Sequence, residues 1–135
     1  ETKNLYRIIE KWGSEKPILG ICLGHQAIGT YFGLELINMP TVHHGINRMT
    51  KSLATNEPLF KGLPQNFLSA RYHSWVLGTP DSKSELEVTA VDVDGNVMGI
   101  SHKTLNIKAV QFHPESVLTE QGYLILQNWV ELVSR

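Results

Sequence analysis

The sequence of 135 residues holds one cysteine, Cys22, and so cannot close a disulfide within itself. Its fold does not rely on oxidation, and a reducing, cytoplasmic home is the expectation. An excess of one charge is missing as well: 12 Lys and Arg stand against 13 Asp and Glu. Such a balance gives no footprint for nucleic acid and no polybasic membrane anchor. No apolar run approaches the roughly 20 residues that span a bilayer, and the opening "ETKNLYRIIEKWG" is amphipathic rather than a secretory signal. Repeats, low-complexity stretches and linkers are absent, so residues 1–135 read as a single domain large enough for a real core. Neither a P-loop lysine nor GxGxxG spacing follows the glycines of "GICLGHQ", which removes a nucleotide-binding reading.

What is present is an alternation of helical and strand patterns at both ends, with hairpins between. Leu5, Ile8, Ile9 and Trp12 fall on one helical face ending near Gly13. The run "ILGICL" fits a strand buried on both faces, as in a parallel sheet. "GHQAIGTYFG" predicts a short helix closed by Gly33, and "LELI" a short strand. "GINRMTKSLA" and "NFLSARYHSWVL" predict strands around a turn-rich "TNEPLFKGLP". "LEVTAVD" and "VMGISH" around Asp94-Gly95 predict a hairpin with a tight primed turn. "IKAVQF" is a further buried-type strand leading into "HPES". A last helix starts near Thr119 as N-cap and carries a stripe of Gly122, Ile125, Leu126, Trp129, Val130 and Val133.

Two stretches carry chemistry. In Gly20-Ile21-Cys22-Leu23-Gly24 a nucleophile-type residue sits between glycines where a strand turns into a helix. That is the spacing of a nucleophile elbow, in which a Cβ at either glycine would collide with neighbouring backbone. Cys22 there faces the positive end of the helix, which favours thiolate, and the N–H of Leu23 would point at an oxyanion. In "VQFHPES", residues 110–116, a buried strand delivers His113 to a carboxyl end of the sheet. Glu115 lies close enough to bind one ring nitrogen and turn the other toward a thiol. Cys22, His113 and Glu115 together form a nucleophile–base–orienter set, pointing to acyl transfer or amide hydrolysis through a thioester.

With these residues in place, "PILGICLGHQAIG" and "VQFHPES" resemble the class I (triad) glutamine amidotransferases over nearly the whole chain. The resemblance implies an α/β fold with an open, mostly parallel sheet flanked by helices and added antiparallel hairpins. It implies that Cys22 attacks glutamine, that His113 is base and later acid, and that Glu115 orients it. It makes Gln26 a glutamine contact, and gives Ser74 and Trp75 backbone groups that hold the amino acid's two ends. "RYHS" after "LFKGLPQNF", with "HPESVLTEQG", looks most like the glutaminase subunit of chorismate-using synthases. Trp75 and the "NWV" ending incline toward anthranilate synthase component II, with its p-aminobenzoate (aminodeoxychorismate) synthase counterpart as the alternative. The implied partners are L-glutamine and a chorismate-binding synthase subunit, component I. No metal or organic cofactor is implied for this half.

The sequence departs from the pattern in two places. His44-Gly45-Ile46 stands where the subfamily has His-Gly-Lys, in a loop expected to face the synthase. Upstream of Cys22 nothing matches the family's first strands or its Gly-Pro-Gly loop, a second oxyanion donor, so the domain is expected to be incomplete at its N-terminal side. Two rival readings keep the scaffold: a stand-alone cysteine or γ-glutamyl hydrolase, and a non-catalytic binding module. His25 reads as a helix-start residue packing on the site, His73 as pocket scaffolding, and His102 as hairpin surface. Trp12 and Trp129 read as core anchors. His43 and His44 read as a solvated loop.

Overall fold

The computed structural model describes residues 2–39, 46–53, 56–71 and 74–134; His43, His44, Gly45 and His73, on which some expectations rest, lie outside them. Helix α1 (Thr2–Trp12) follows the apolar spacing, although Ile9 is its one buried residue. Ile8 and Trp12 face solvent, and the ammonium groups of Lys11 and Lys16 stand 5.0 and 6.0 Å from the Trp12 ring. Trp12 is therefore a surface aromatic held by cations rather than a core anchor. Trp129, by contrast, packs half-buried against the core.

Strand β1 (Ile18–Ile21) pairs in parallel with β8 (Ile107–Val110), from Ile18 opposite Ile107 to Ile21 opposite Val110. Between them the chain runs through α2 (Leu23–Tyr31), β2 (Leu36–Asn38), β3 (Ile46–Ser52) and a 3-10 turn (Pro58–Phe60). It continues through β4 (Asn66–Arg71), β5 (Trp75–Leu77), β6 (Leu86–Asp92) and β7 (Val97–His102). Helix α3 (Gly122–Val133) follows β8. The six-stranded sheet has the order β1-β8-β7-β6-β3-β4, and β2 and β5 form a separate antiparallel pair. The expected α/β class with added hairpins is what the chain adopts. Parallel pairing among the described strands is carried by β1–β8, while the remaining ladders of the large sheet are antiparallel. The reason is connectivity: parallel neighbours need a long crossover, and the strands from β3 to β8 are joined without one.

Apolar residues fill both faces. Ile9, Ile28, Leu77, Ile100, Ile107 and Ala109 form a core beneath α1 and α2. On the opposite face Leu59, Phe67, Met98, Val110, Phe112 and Ile125 pack beneath α3 and the 3-10 turn. The alternation along β8, with Ile107 and Ala109 on one face and Val110 on the other, is the period of a strand buried on both sides.

Four local expectations change. "NFLSARYHSWVL" is two strands, β4 in the large sheet and β5 in the small one. The β6–β7 connection is not a primed two-residue turn: Gly95 has φ +83°, but Asp94 is not among the positive-φ residues. The Asp92 carboxylate accepts from the N–H of Asp94 and of Asn96, both at 2.9 Å, and folds the loop around itself. Helix α3 begins at Gly122, after Gln121 in a left-handed conformation, so Thr119 is not its N-cap. His102 is buried rather than on the hairpin surface. Its Nδ1 accepts from the N–H of Thr104 (3.1 Å) and Leu105 (2.9 Å), capping the turn into β8.

Candidate active site

Cys22 stands where β1 ends and α2 begins, with φ 55° and ψ −103°. A side chain rarely takes that conformation, and holding it costs on the order of 1–3 kcal/mol. The surroundings enforce it: the Cys22 N–H donates to Val110 O (3.0 Å), and the Gln26 N–H donates to Cys22 O (3.1 Å). One bond fixes the turn to the sheet and the other starts the helix. A Cβ at Gly20 would lie 2.8 Å from the carbonyl carbon and oxygen of Gly24, so strand and helix approach each other only because Gly20 has none. At Gly24 a Cβ would meet nothing within 4 Å, which overturns the expected collision at that glycine. Gly24 turns its carbonyl toward β1 and its Cβ direction into open space.

Burial pushes the Cys22 thiol up, the Leu23 N–H pulls it down, and the negative charge of Glu115 adds to the rise. The net effect is upward. The helix end thus does not by itself yield a thiolate, contrary to the expectation from the helix dipole, because desolvation outweighs it. A thiol in this state needs a base.

His113 leaves the neighbouring strand at the same end. The rung joining Ile21 to Val110 sets Cys22 one residue beyond it and His113 three residues beyond it. His113 Nδ1 donates to the Glu115 carboxylate at 2.7 Å, a contact that orients the ring and sets Nε2 on its opposite side. Thr119 fixes the loop: its hydroxyl donates to His113 O (2.6 Å) and accepts from Ala70 N–H (2.9 Å). The His113 N–H donates to Ala70 O at 3.2 Å.

Gln26, one turn into α2, is buried, and its amide donates to Trp75 O (3.3 Å) and to Gln111 Oε1 (3.2 Å). Ser74 lies one residue before β5, and its carbonyl accepts from Met39 N–H at 2.7 Å. The structure thus joins Trp75 to Gln26 directly and brings Ser74 beside it along the chain. Leu23 is exposed at the mouth of the elbow.

The class-I glutamine amidotransferase model matches residues 1–132. The chain belongs to this family. Among curated relatives it is similar to anthranilate synthase component 2 of Cyanophora paradoxa, 41% identical over 128 residues, covering 94% of this chain and 66% of that protein. It is similar as well to aminodeoxychorismate synthase component 2 of Serratia marcescens, 42% identical over 126 residues, covering 90% and 65% respectively. The amidotransferase chain spans no more than about two thirds of the length of the first curated relatives it matches. Among solved structures, a protein of Thermoplasma acidophilum provisionally assigned to GMP synthase superposes with a TM-score of 0.87. It is 27% identical, and the match covers 98% of this chain and 64% of that one.

Around the amidotransferase elbow lie residues that sequence reasoning passed over. Gln111 is fully buried, and it links His25, Gln26 and Cys22. A signal existed: it is the polar residue that interrupts the apolar run "AVQF". His25, read as packing on the site, is likewise fully buried and donates from Nδ1 to Gln111 Oε1 at 3.2 Å. Arg71, at the end of β4, pairs with Asp92 at 2.6 Å with both side chains fully buried. Burial works against the Asp92 carboxylate, yet Asn96, the Arg71 charge and the Asp94 N–H hold it below the usual carboxylate range. Nothing in the one-dimensional pattern pairs these two residues, which are 21 positions apart.

Proposed function

We propose that this chain hydrolyses the side-chain amide of L-glutamine through Cys22, His113 and Glu115, supplying ammonia to a chorismate-using synthase subunit. The observation that carries the reading is the strained Cys22 elbow together with a His113–Glu115 pair in the loop that follows the adjoining parallel strand. The relatives named as components 2 of anthranilate and aminodeoxychorismate synthases support the choice of partner.

In this mechanism His113 Nε2 takes the proton of the Cys22 thiol as sulfur attacks the amide carbon. The upward-shifted thiol makes that transfer necessary rather than optional. The Leu23 N–H donates to the oxyanion of the tetrahedral intermediate. The C–N bond then breaks, and the proton held by His113 leaves with ammonia. Water, deprotonated by His113, adds to the thioester and releases glutamate, returning the thiol. Gln26, Ser74 and Trp75 hold the amino-acid end of the substrate, and Glu115 keeps the His113 ring in register. The reaction takes place within one domain and uses no metal or organic cofactor. The product serves anthranilate formation in the tryptophan pathway, with p-aminobenzoate formation as the second reading on the strength of the Serratia relative. Among the described residues no helix is long and apolar enough to cross a membrane. The cytoplasm is the proposed location.

The test is intact mass after incubation with a diazo-ketone analogue of glutamine, comparing wild type with Cys22→Ala. One adduct on the wild type, absent from the variant and competed away by glutamine, is expected. No adduct in the presence of the synthase subunit refutes the glutaminase reading and favours a binding module on the same scaffold.

A further inference from the structure

Gln111 follows β8, on the residue after the rung that places Cys22. Its backbone N–H donates to Met98 O at 2.9 Å, so its position is set by the sheet. Its side-chain oxygen accepts from His25 Nδ1 and from Gln26 Nε2, each at 3.2 Å. Its side-chain nitrogen donates to Cys22 Sγ at 3.8 Å. Gln26 sets the orientation of this amide: its Nε2 is held by the Trp75 carbonyl, which can only accept, so a flip of Gln111 would set N–H against N–H and turn the oxygen toward the sulfur. A buried carbonyl with both lone pairs engaged, and a nitrogen aimed at the nucleophile, is an arrangement an apolar or shorter residue cannot reproduce.

The same geometry constrains Gln26. Its two amide hydrogens go to Trp75 O and Gln111 Oε1, which leaves its own Oε1 as the atom it can offer to a ligand. Gln26 is thereby fixed as an acceptor, able to read an ammonium or N–H of a bound amino acid and unable to donate to a carboxylate. We propose that Gln111 is a positioning residue that couples the two halves of the site, orienting the Cys22 sulfur with one end of its amide and fixing Gln26 as an acceptor with the other. The inference rests on reading Cys22 as the nucleophile. Among the described residues, the titratable groups on the elements that meet at that sulfur include His25 on α2, joined to it through Gln111, and His113 and Glu115 on the loop after β8, of which the Glu115 charge acts on the thiol.

Because Cys22 is the sole cysteine, alkylation by iodoacetamide reports on its sulfur alone, whether or not glutamine is hydrolysed. Gln111→Glu keeps the two acceptor contacts and sets a carboxylate against the sulfur. Gln111→Met keeps the volume and loses every polar contact. In the full chain, Gln111→Glu should move the midpoint of the alkylation–pH profile upward and slow alkylation near neutrality by about tenfold, a shift of one pH unit. Gln111→Met should raise KM for glutamine by about 10-fold or more, through release of Gln26, together with a fall in kcat. Melting curves on both variants separate these effects from loss of fold. Wild-type alkylation profiles and an unchanged KM in folded variants overturn the proposal. If wild type alkylates normally but neither binds nor hydrolyses glutamine, the glutaminase reading fails, while the alkylation profiles alone still decide the Gln111–Cys22 link.

Discussion

Replacing Gly20 and Gly24 separately by alanine tests the elbow, because the two glycines look alike in the sequence and differ in the fold. The new methyl at position 20 would lie 2.6 Å from Ile28 Cδ1 and 2.8 Å from the Gly24 carbonyl carbon and oxygen. The first neighbour is the tip of a side chain and can rotate away. The second is helix backbone and cannot, so the start of α2 has to move off β1 by a sizeable fraction of an ångström. Overpacking of this kind costs typically 1–3 kcal/mol, and the backbone partner places Gly20→Ala at the upper end. The displacement also stretches the 3.1 Å bond from Gln26 N–H to Cys22 O and shifts the sulfur. Misplacement of about 1 Å at a reacting group costs on the order of 100-fold in rate. Gly24→Ala meets open space within a helix and should gain about 0.5–1 kcal/mol, the difference in helix propensity. Urea unfolding of both variants, with iodoacetamide alkylation of Cys22 in the same samples, gives stability and placement together. Equal midpoints for the two variants, or Gly24→Ala as destabilising as Gly20→Ala, would refute the packing argument.

Cys22→Gly should unfold at a higher urea concentration than Cys22→Ala, by about 1 kcal/mol or more, since glycine relieves the positive φ that alanine retains; a less stable Cys22→Gly would show that the turn stores no strain. The raised thiol predicts that alkylation of wild-type Cys22 climbs with pH through a midpoint above the ordinary thiol value of about 8.5. Glu115→Gln should lower that midpoint while reducing turnover, and a midpoint that rises or stays fixed contradicts the charge argument. Thr119→Val should cost about 1–2 kcal/mol by leaving Ala70 N–H unpaired and His113 O with only the Ser116 N–H as donor, and it should depress kcat more than it raises KM, as steady-state kinetics would read. Asp92→Asn should destabilise the fold by about 3–5 kcal/mol, because Arg71 is left charged and buried. With its folded value lowered, Asp92 contributes stability at pH above about 3.9, the ordinary carboxylate value, and loses it as pH falls through the folded one. Thermal melts between pH 3 and 7 should therefore show an acid-side loss in wild type that Asp92→Asn lacks.

The elements that reveal themselves in sequence are those whose burial is periodic or whose turn chemistry is local. The strands β1 and β8, the helix after the elbow and its Gly33 stop at φ +96° all follow from patterns a few residues long. What stayed hidden depends on partners far along the chain. Thr119 has the composition of an N-cap, yet a backbone N–H on β4 and the carbonyl of His113 outcompete the helix for its hydroxyl. Asp94-Gly95 signals a tight turn, and the Asp92 carboxylate overrides it by collecting two N–H groups of the loop. His102 lies in a hairpin strand whose far face happens to be covered by Phe32, at a ring separation of 4.9 Å. For the site, Cys22, His113 and Glu115 were legible because their spacing is short-range around two strand ends. Gln111 was not singled out because its meaning lies in contacts with residues more than 80 positions earlier.

The parallel pairing of β1 with β8 also sets when the site comes into being. Cys22 and Gln111 are 89 positions apart, and closing a loop of that length costs about 4 kcal/mol of chain entropy before any contact returns it. The hairpins between them can form earlier, from neighbours only. During synthesis Cys22 emerges long before Gln111 and His113, and it stays an ordinary exposed thiol until the eighth strand has arrived and docked. Chemical labelling of Cys22 along a refolding time course would follow that last step, so a single side chain can serve as the clock for completion of the fold.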